Sequence, residues 1–275
     1  MTFPYGKNVL LTGGSSGIGL ATAELLAEKG YIVYSASRNP RDSISTFPGG
    51  GEIRPVKLDV TDAESVANAA ESLNTDFGII IHCAGIGIAC PAESYPHEAV
   101  EKLMETNYNG VLRVNDVFLP KLRARGNGLC VIVGSVGGIF PIPFQSHYSA
   151  SKSAVDIYAM ALRMELRKHG VKVSLLMPGD TNTGFTGARE YVIVETSPFY
   201  DDCVSATQKM EKDELGGRPA ITSARAILKL CEQKKPPARK IVGFNYKFLV
   251  FLKRFLPYPA IERILASMYI KKQKN

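Results

Sequence analysis

The chain has 275 residues, 45% of them apolar, enough to build a large α/β core without disulfide or metal staples. Its five cysteines, at 83, 90, 130, 203 and 231, have neither the short spacing of a zinc site nor that of a redox pair, so reduced thiols and no metal site are expected. The net charge of +7 is concentrated late: from Lys229 onward there are twelve Lys and Arg against two Glu, a surplus of ten, which leaves the first 228 residues at −3 and argues against a nucleic-acid-binding body.

Residues Met1 to Lys7 are too few and too polar for a secretory leader. The longest stretch without Lys, Arg, Asp or Glu, Gly126–Ser151, is broken by Gly, Pro, Ser, Gln and His, which excludes a membrane-spanning helix there. A soluble, cytoplasmic chain is expected. Strand patterns recur at Asn8–Leu11, Tyr31–Ala36, Ile53–Leu58, Gly78–His82, Leu129–Val133, Lys172–Leu176 and Lys240–Gly243. The first six are unalternating and rich in Ile, Val and Leu, as strands covered by helices on both faces must be. Helical patterns lie between them at Ala21–Lys29, Glu64–Leu73, His97–Leu122, Tyr148–Lys168 and Ser223–Gln233. This alternation predicts an α/β protein: a single-domain, Rossmann-type, doubly wound parallel sheet of about seven strands over residues 1–243. The long, polar, weakly periodic segment 184–217 follows a strand end and is expected to be a substrate lid.

The first strand runs directly into Thr12-Gly13-Gly14-Ser15-Ser16-Gly17-Ile18-Gly19, which opens the first helix. Glycines at 13, 17 and 19 allow a tight turn, close approach of backbone to a pyrophosphate and close helix–sheet packing, while the helix N-terminus offers free N–H groups to phosphate. At the end of the second strand, where an acid would bond the ribose 2′-hydroxyl of NAD, the chain reads Ser35-Ala36-Ser37-Arg38-Asn39. Arg38 and Ser37 suit a 2′-phosphate instead, so NADP(H) is the expected cofactor.

Tyr148 and Lys152, four apart, share one face of a helix. A free phenol titrates near about 10, and a neighbouring ammonium favours its anion, which would make the pair a proton shuttle at neutral pH. Ser135 ends the strand Val131–Ser135 thirteen residues earlier, at the strand C-terminal end where ligands meet parallel sheets, and can hydrogen-bond a carbonyl or hydroxyl.

Taken in order, Thr12–Gly19, Asp59-Val60, Ala84-Gly85, Asn107-Tyr-Asn-Gly110, Ser135, Tyr148-x-x-x-Lys152 and Pro178-Gly179 resemble the short-chain dehydrogenase/reductase family over about residues 1–243, in its hydroxysteroid or keto-lipid branch. The resemblance implies that Asn107 holds a water in a proton relay through Lys152, that Ser135 polarises the carbonyl, and that Tyr148 is the general acid or base. It implies further that Lys152 bonds the nicotinamide ribose, that Asp59 and Val60 flank adenine, that Ala84, Gly85, Pro178 and Gly179 line the cofactor, and that Thr183 contacts the carboxamide. A homodimer or homotetramer built through the helices carrying Asn107 and Tyr148 is implied in the same way. One departure stands out: the family usually has Asn-Asn-Ala-Gly where this chain has His82-Cys83-Ala84-Gly85. His82 is expected to make the sheet-stabilising contacts of that Asn rather than to act as a base.

The uncharged run Val136–Phe144, with Phe185, Tyr191, Phe199 and Tyr200 of the lid, points to a hydrophobic small-molecule ketone or alcohol. In the basic extension, residues 244–275, Phe248, Phe251, Leu252, Phe255 and Leu256, then Ile261, Ile264, Leu265, Met268 and Tyr269, repeat at helical spacing with Lys253, Arg254, Arg263, Lys271 and Lys272 on other faces. Such helices suit contact with an anionic membrane surface, or packing over the pocket or a subunit interface. Two rivals to an enzyme of this kind are a non-catalytic NADP(H)-binding sensor or scaffold and a reductase of 3-oxoacyl or other small carbonyl substrates.

Overall fold

The computed structural model describes residues 3–270. In its first half lie β1 (Asn8–Thr12), α1 (Gly17–Glu28), β2 (Ile32–Ser37), β3 (Ser45–Thr46), β4 (Glu52–Lys57), α2 (Ala63–Ser72), β5 (Ile79–His82), β6 (Ile88–Ala89), α3 (His97–Met104) and α4 (Gly110–Arg125). Then come β7 (Gly128–Val133), α5 (Ser146–Glu165), β8 (Val171–Met177), β9 (Thr181–Asn182), β10 (Glu190–Tyr191), α6 (Tyr200–Leu215), β11 (Arg218–Pro219), α7 (Ala220–Glu232), β12 (Arg239–Ile241), α8 (Phe244–Leu252) and α9 (Tyr258–Tyr269).

The central sheet has eight strands in the order β12-β8-β7-β5-β1-β2-β4-β3, and every pairing but the last is parallel. The expected count of about seven falls one short because β3, two polar residues paired antiparallel to β4, has no apolar run to announce it. Successive strand residues feed opposite faces. Leu10, Ile80, Cys130 and Ile132 pack with Val66 of α2, Phe118 of α4 and Val155 of α5. Val9, Leu11, Ile79, Ile81 and Val131 pack with Leu26 of α1 and Ile227 of α7. Both faces are therefore dry, which is why these strands do not alternate; each fully buried aliphatic side chain stabilises the fold by roughly 1.5–3 kcal/mol relative to exposure.

Strand order reverses between β1 and β5, so the chain ends leaving these two strands diverge and open a crevice. The single helix expected over His97–Leu122 is interrupted: a π-helical turn at Glu105–Asn109 separates α3 from α4. Glu105 closes that turn by accepting hydrogen bonds from Asn109 and Arg113, contacts that an apolar periodicity cannot reveal. Beyond β12, α8 and α9 fold back over the open end of the crevice, tied down where the Asp180 N–H donates to Tyr246 Oη at 3.2 Å and Lys253 Nζ donates to Ile139 O at 2.8 Å. Lys271 and Lys272 lie outside the described residues. No helix among those described is long and apolar enough to cross a membrane.

Candidate active site

The glycine-rich loop forms the floor of the crevice. Gly13 has φ +72°, and a Cβ there would lie 2.5 Å from Ala84 N; a Cβ on Gly19 would lie 2.1 Å from Gly13 O. Only glycine lets α1 start this close to β1 and the segment after β5. Ser16 precedes α1 without a side-chain cap, so the first-turn N–H groups stay available beside the cavity lined by Gly13, Ser15, Ser16, Gly17, Ile18 and Gly19.

That cavity, of about 570 Å³, continues past Ser37, the exposed Arg38, Asp59 and Val60, then Ala84, Gly85, Pro178, Gly179 and Thr183. Arg38 makes no ion pair with any described residue. The Asp59 carboxylate accepts from Thr61 N at 2.9 Å and from the Thr61 hydroxyl at 2.8 Å, fixing the turn after β4. A cradle that a Cβ would fill, free helix N–H groups and an uncommitted guanidinium fit a phosphorylated dinucleotide along this path.

Ser135, Tyr148 and Lys152 line the same cavity. Ser135 follows β7, and its Oγ accepts from Gly137 N at 3.0 Å. Tyr148 and Lys152 are buried on α5; Lys152 Nζ donates to Val133 O at 3.2 Å and lies 5.8 Å from the Tyr148 ring centroid. Asn107, on the π turn, is buried: its Oδ1 accepts from Ile86 N at 2.8 Å, and its Nδ2 donates to Ile86 O at 3.0 Å and to Ser151 Oγ at 3.1 Å. Asn107 thus pins the segment after β5 to α5.

The electrostatics differ from the expectation of a phenol lowered by Lys152. Burial pushes the Tyr148 phenol up; the Ser135 hydroxyl pulls it down, Glu214 pushes it further up and Arg189 opposes that. Burial also lowers Lys152 to about 8, which still leaves it an ammonium at neutral pH. His82 makes the structural contact expected of it. Its Nε2 lies 2.9 Å from Asn115 Oδ1, and burial holds the ring neutral, down to about 4. The Cys83 and Cys130 thiols are pushed up to about 12 by burial, so neither is a nucleophile at neutral pH. Cys83 sits just past β5 rather than within a strand.

On the substrate side, Val136, Phe140 and Ile142 line the cavity, whereas Ile139 packs on the core and Phe144, at φ 60°, turns the chain toward α5. Of the four lid aromatics only Phe185 faces in, with its ring 6.0 Å from that of Tyr148. Tyr191, Phe199 and Tyr200 do not line the cavity; Tyr191 is exposed and donates to Glu211. The wall comes instead from Glu214 of α6, held by Thr186 at 2.7 Å and by the buried Arg189, and from α8 and α9 through Leu249, Leu252, Leu256, Ile261 and Leu265. Arg189 and Glu214, 25 residues apart on either side of a turn and a helix, carry no sequence signal that would pair them.

The chain as a whole is similar to known proteins. The family described as short chain dehydrogenase matches residues 7–191. The chain is 37% identical to a 3-ketodihydrosphingosine reductase of Bacteroides thetaiotaomicron, over 86% of this chain and 87% of that one. It is 34% identical to human 17-beta-hydroxysteroid dehydrogenase type 1, over 95% of this chain and 84% of that one. The crystal structure of a short-chain dehydrogenase from Streptomyces avermitilis superposes with a TM-score of 0.78 at 26% identity, covering 95% of each chain. By these likenesses the chain belongs to the short-chain dehydrogenase/reductase family, nicotinamide-dependent oxidoreductases acting on carbonyl and alcohol groups.

Proposed function

We propose that the protein is an NADP(H)-dependent oxidoreductase that interconverts a hydrophobic ketone and its secondary alcohol, of the long-chain keto-lipid or steroid type. The observation that carries this reading is the continuity of one cavity, from the glycine loop and Arg38, past Ser135 and Tyr148, to the apolar wall of α8 and α9. Similarity to a reductase named for a keto-lipid and to a dehydrogenase named for a steroid supports the substrate class.

In this assignment Gly13, Ser15, Ser16, Gly17, Ile18 and Gly19 hold the pyrophosphate at the α1 N-terminus, and Ser37 with Arg38 the 2′-phosphate. Asp59 and Val60 hold the adenine, Ala84, Gly85, Pro178, Gly179 and Thr183 the nicotinamide half, and Lys152 its ribose. The nicotinamide, when bound, supplies or takes the hydride. In reduction Ser135 Oγ donates to the substrate carbonyl oxygen, and Tyr148 gives its Oη proton to that oxygen. The raised phenol keeps this proton in place at neutral pH. Lys152 returns a proton to Tyr148 and is itself reprotonated from solvent through a water that Asn107 holds. Ile157 and Met164, seven apart on α5 and largely exposed, suit a homodimer or homotetramer formed through α4 and α5.

The test is NADPH oxidation against 3-ketodihydrosphingosine, steroid ketones and a 3-oxoacyl thioester. Turnover of the first or second is expected, with Tyr148→Phe lowering kcat at least about a hundredfold. Binding of NADPH with no turnover across the panel would instead establish a cofactor-binding sensor, and turnover of the thioester alone a small-carbonyl reductase.

A further inference from the structure

The two C-terminal helices are apolar on both sides. Leu252, Ile261 and Leu265 on the helices, with Leu256 in the turn between them, close the cavity beyond Tyr148. Phe244, Phe248 and Phe251 of α8 and Phe255 of that turn are the only exposed phenylalanines among the described residues; Phe244 retains 75% and Phe255 69% of its accessible surface. Phe244, Phe248 and Phe251 fall at i, i+4 and i+7 of α8, with the exposed Lys247 on the same stripe, and Arg254 precedes Phe255. On α9 Tyr258 is exposed, with Ile270 just beyond it and the exposed Glu262 and Arg263 on its first turns, while Ile264 and Met268 are part exposed and also line the cavity.

A contiguous aromatic surface of this kind marks a contact with something apolar. Two features select the occupant. A two-fold contact between copies would bring Lys247, Arg254 and Arg263 of each together with Glu262, the one acid between residues 244 and 270, leaving cations in excess at a cost. A layer of anionic headgroups instead neutralises them, while the phenylalanines enter the acyl boundary. The same helices form the wall of the substrate cavity, so a surface resting on lipid stands next to the place where an apolar substrate is received.

We propose that α8 and α9 are a docking surface for an anionic lipid bilayer, with Phe244, Phe248, Phe251 and Phe255 inserting at the headgroup boundary and Lys247, Arg254 and Arg263 meeting the headgroups. The substrate class argued above gives the docking its purpose, but binding itself is measured without turnover, so the two readings fail separately.

The experiment is flotation of the full chain with vesicles of phosphatidylcholine alone and of phosphatidylcholine mixed with phosphatidylserine, alongside sedimentation in the absence of lipid. The wild-type chain is expected to float with the mixed vesicles and to be released by salt. F248E/F251E, which alters no cavity-lining residue, is expected to lower the partition coefficient at least about tenfold while leaving the circular dichroism, thermal midpoint and sedimentation unchanged. Failure of the wild type to float, or equal flotation of the variant, overturns the proposal. Loss of a larger assembly in the variant, with no vesicle binding by either, makes a second copy of the chain the occupant.

Discussion

Arg38 and Lys152 are each a single charge whose surroundings set its use. Arg38 is exposed, has no ion pair among the described residues and faces the cavity next to Ser37, so its charge is available to a ligand phosphate. Arg38→Asp should reverse the preference: the ratio of kcat/KM for NADPH to that for NADH falls at least about tenfold, the scale of one charge-assisted hydrogen bond. An unchanged ratio removes Arg38 as the selector. Lys152 is buried, which lowers it from 10.5 to about 8; it is an ammonium below that pH and neutral above it. If its charge binds the ribose and feeds the proton relay, kcat falls as pH rises through about 8. Lys152→Ala should lower kcat at least about a hundredfold and abolish that inflection, and a normal profile in the variant would refute the role.

At the scale of elements, β5 carries a titratable residue in the middle of the sheet. His82 is buried, bonded to Asn115 of α4, and held at about 4 against an ordinary 6.5. A folded state that keeps the ring neutral binds fewer protons than the unfolded chain between those values, so stability is lost as pH falls from 6.5 toward 4. The span corresponds to roughly 3 kcal/mol. His82→Asn removes the titration but retains a partner for Asn115, and the fall in thermal midpoint over that pH window should flatten; an unaltered slope would assign the acid sensitivity elsewhere. The residue was legible as structural from its strand position, whereas Asn115, its partner, was not, because no local spacing links β5 to α4. The π turn before α4 shows the same limit. It places Asn107 against Ile86, but the i, i+4 pattern runs through it without a mark.

For the whole molecule, the segment 184–217 and the C-terminal helices both border the pocket. Of the aromatics Phe185, Tyr191, Phe199 and Tyr200 that pointed to an apolar substrate, only Phe185 lines the cavity, while α6 brings in Glu214, held by Arg189. The apolar wall comes instead from α8 and α9, whose inner and outer faces are both hydrophobic. A helix pair with two such faces joins two environments, and the flotation experiment identifies the outer one.

The sequence by itself determined the β–α alternation, the glycine loop at the β1–α1 junction and the sharing of one helix face by Tyr148 and Lys152. Each is a local pattern, fixed by strand and helix geometry within a few residues. Only the tertiary structure decided the eighth strand, the inward residues of the lid, the Arg189–Glu214 pair and the direction in which the Tyr148 phenol moves. Those depend on burial and on charges brought together from distant segments, and burial is the largest influence on both Tyr148 and Lys152.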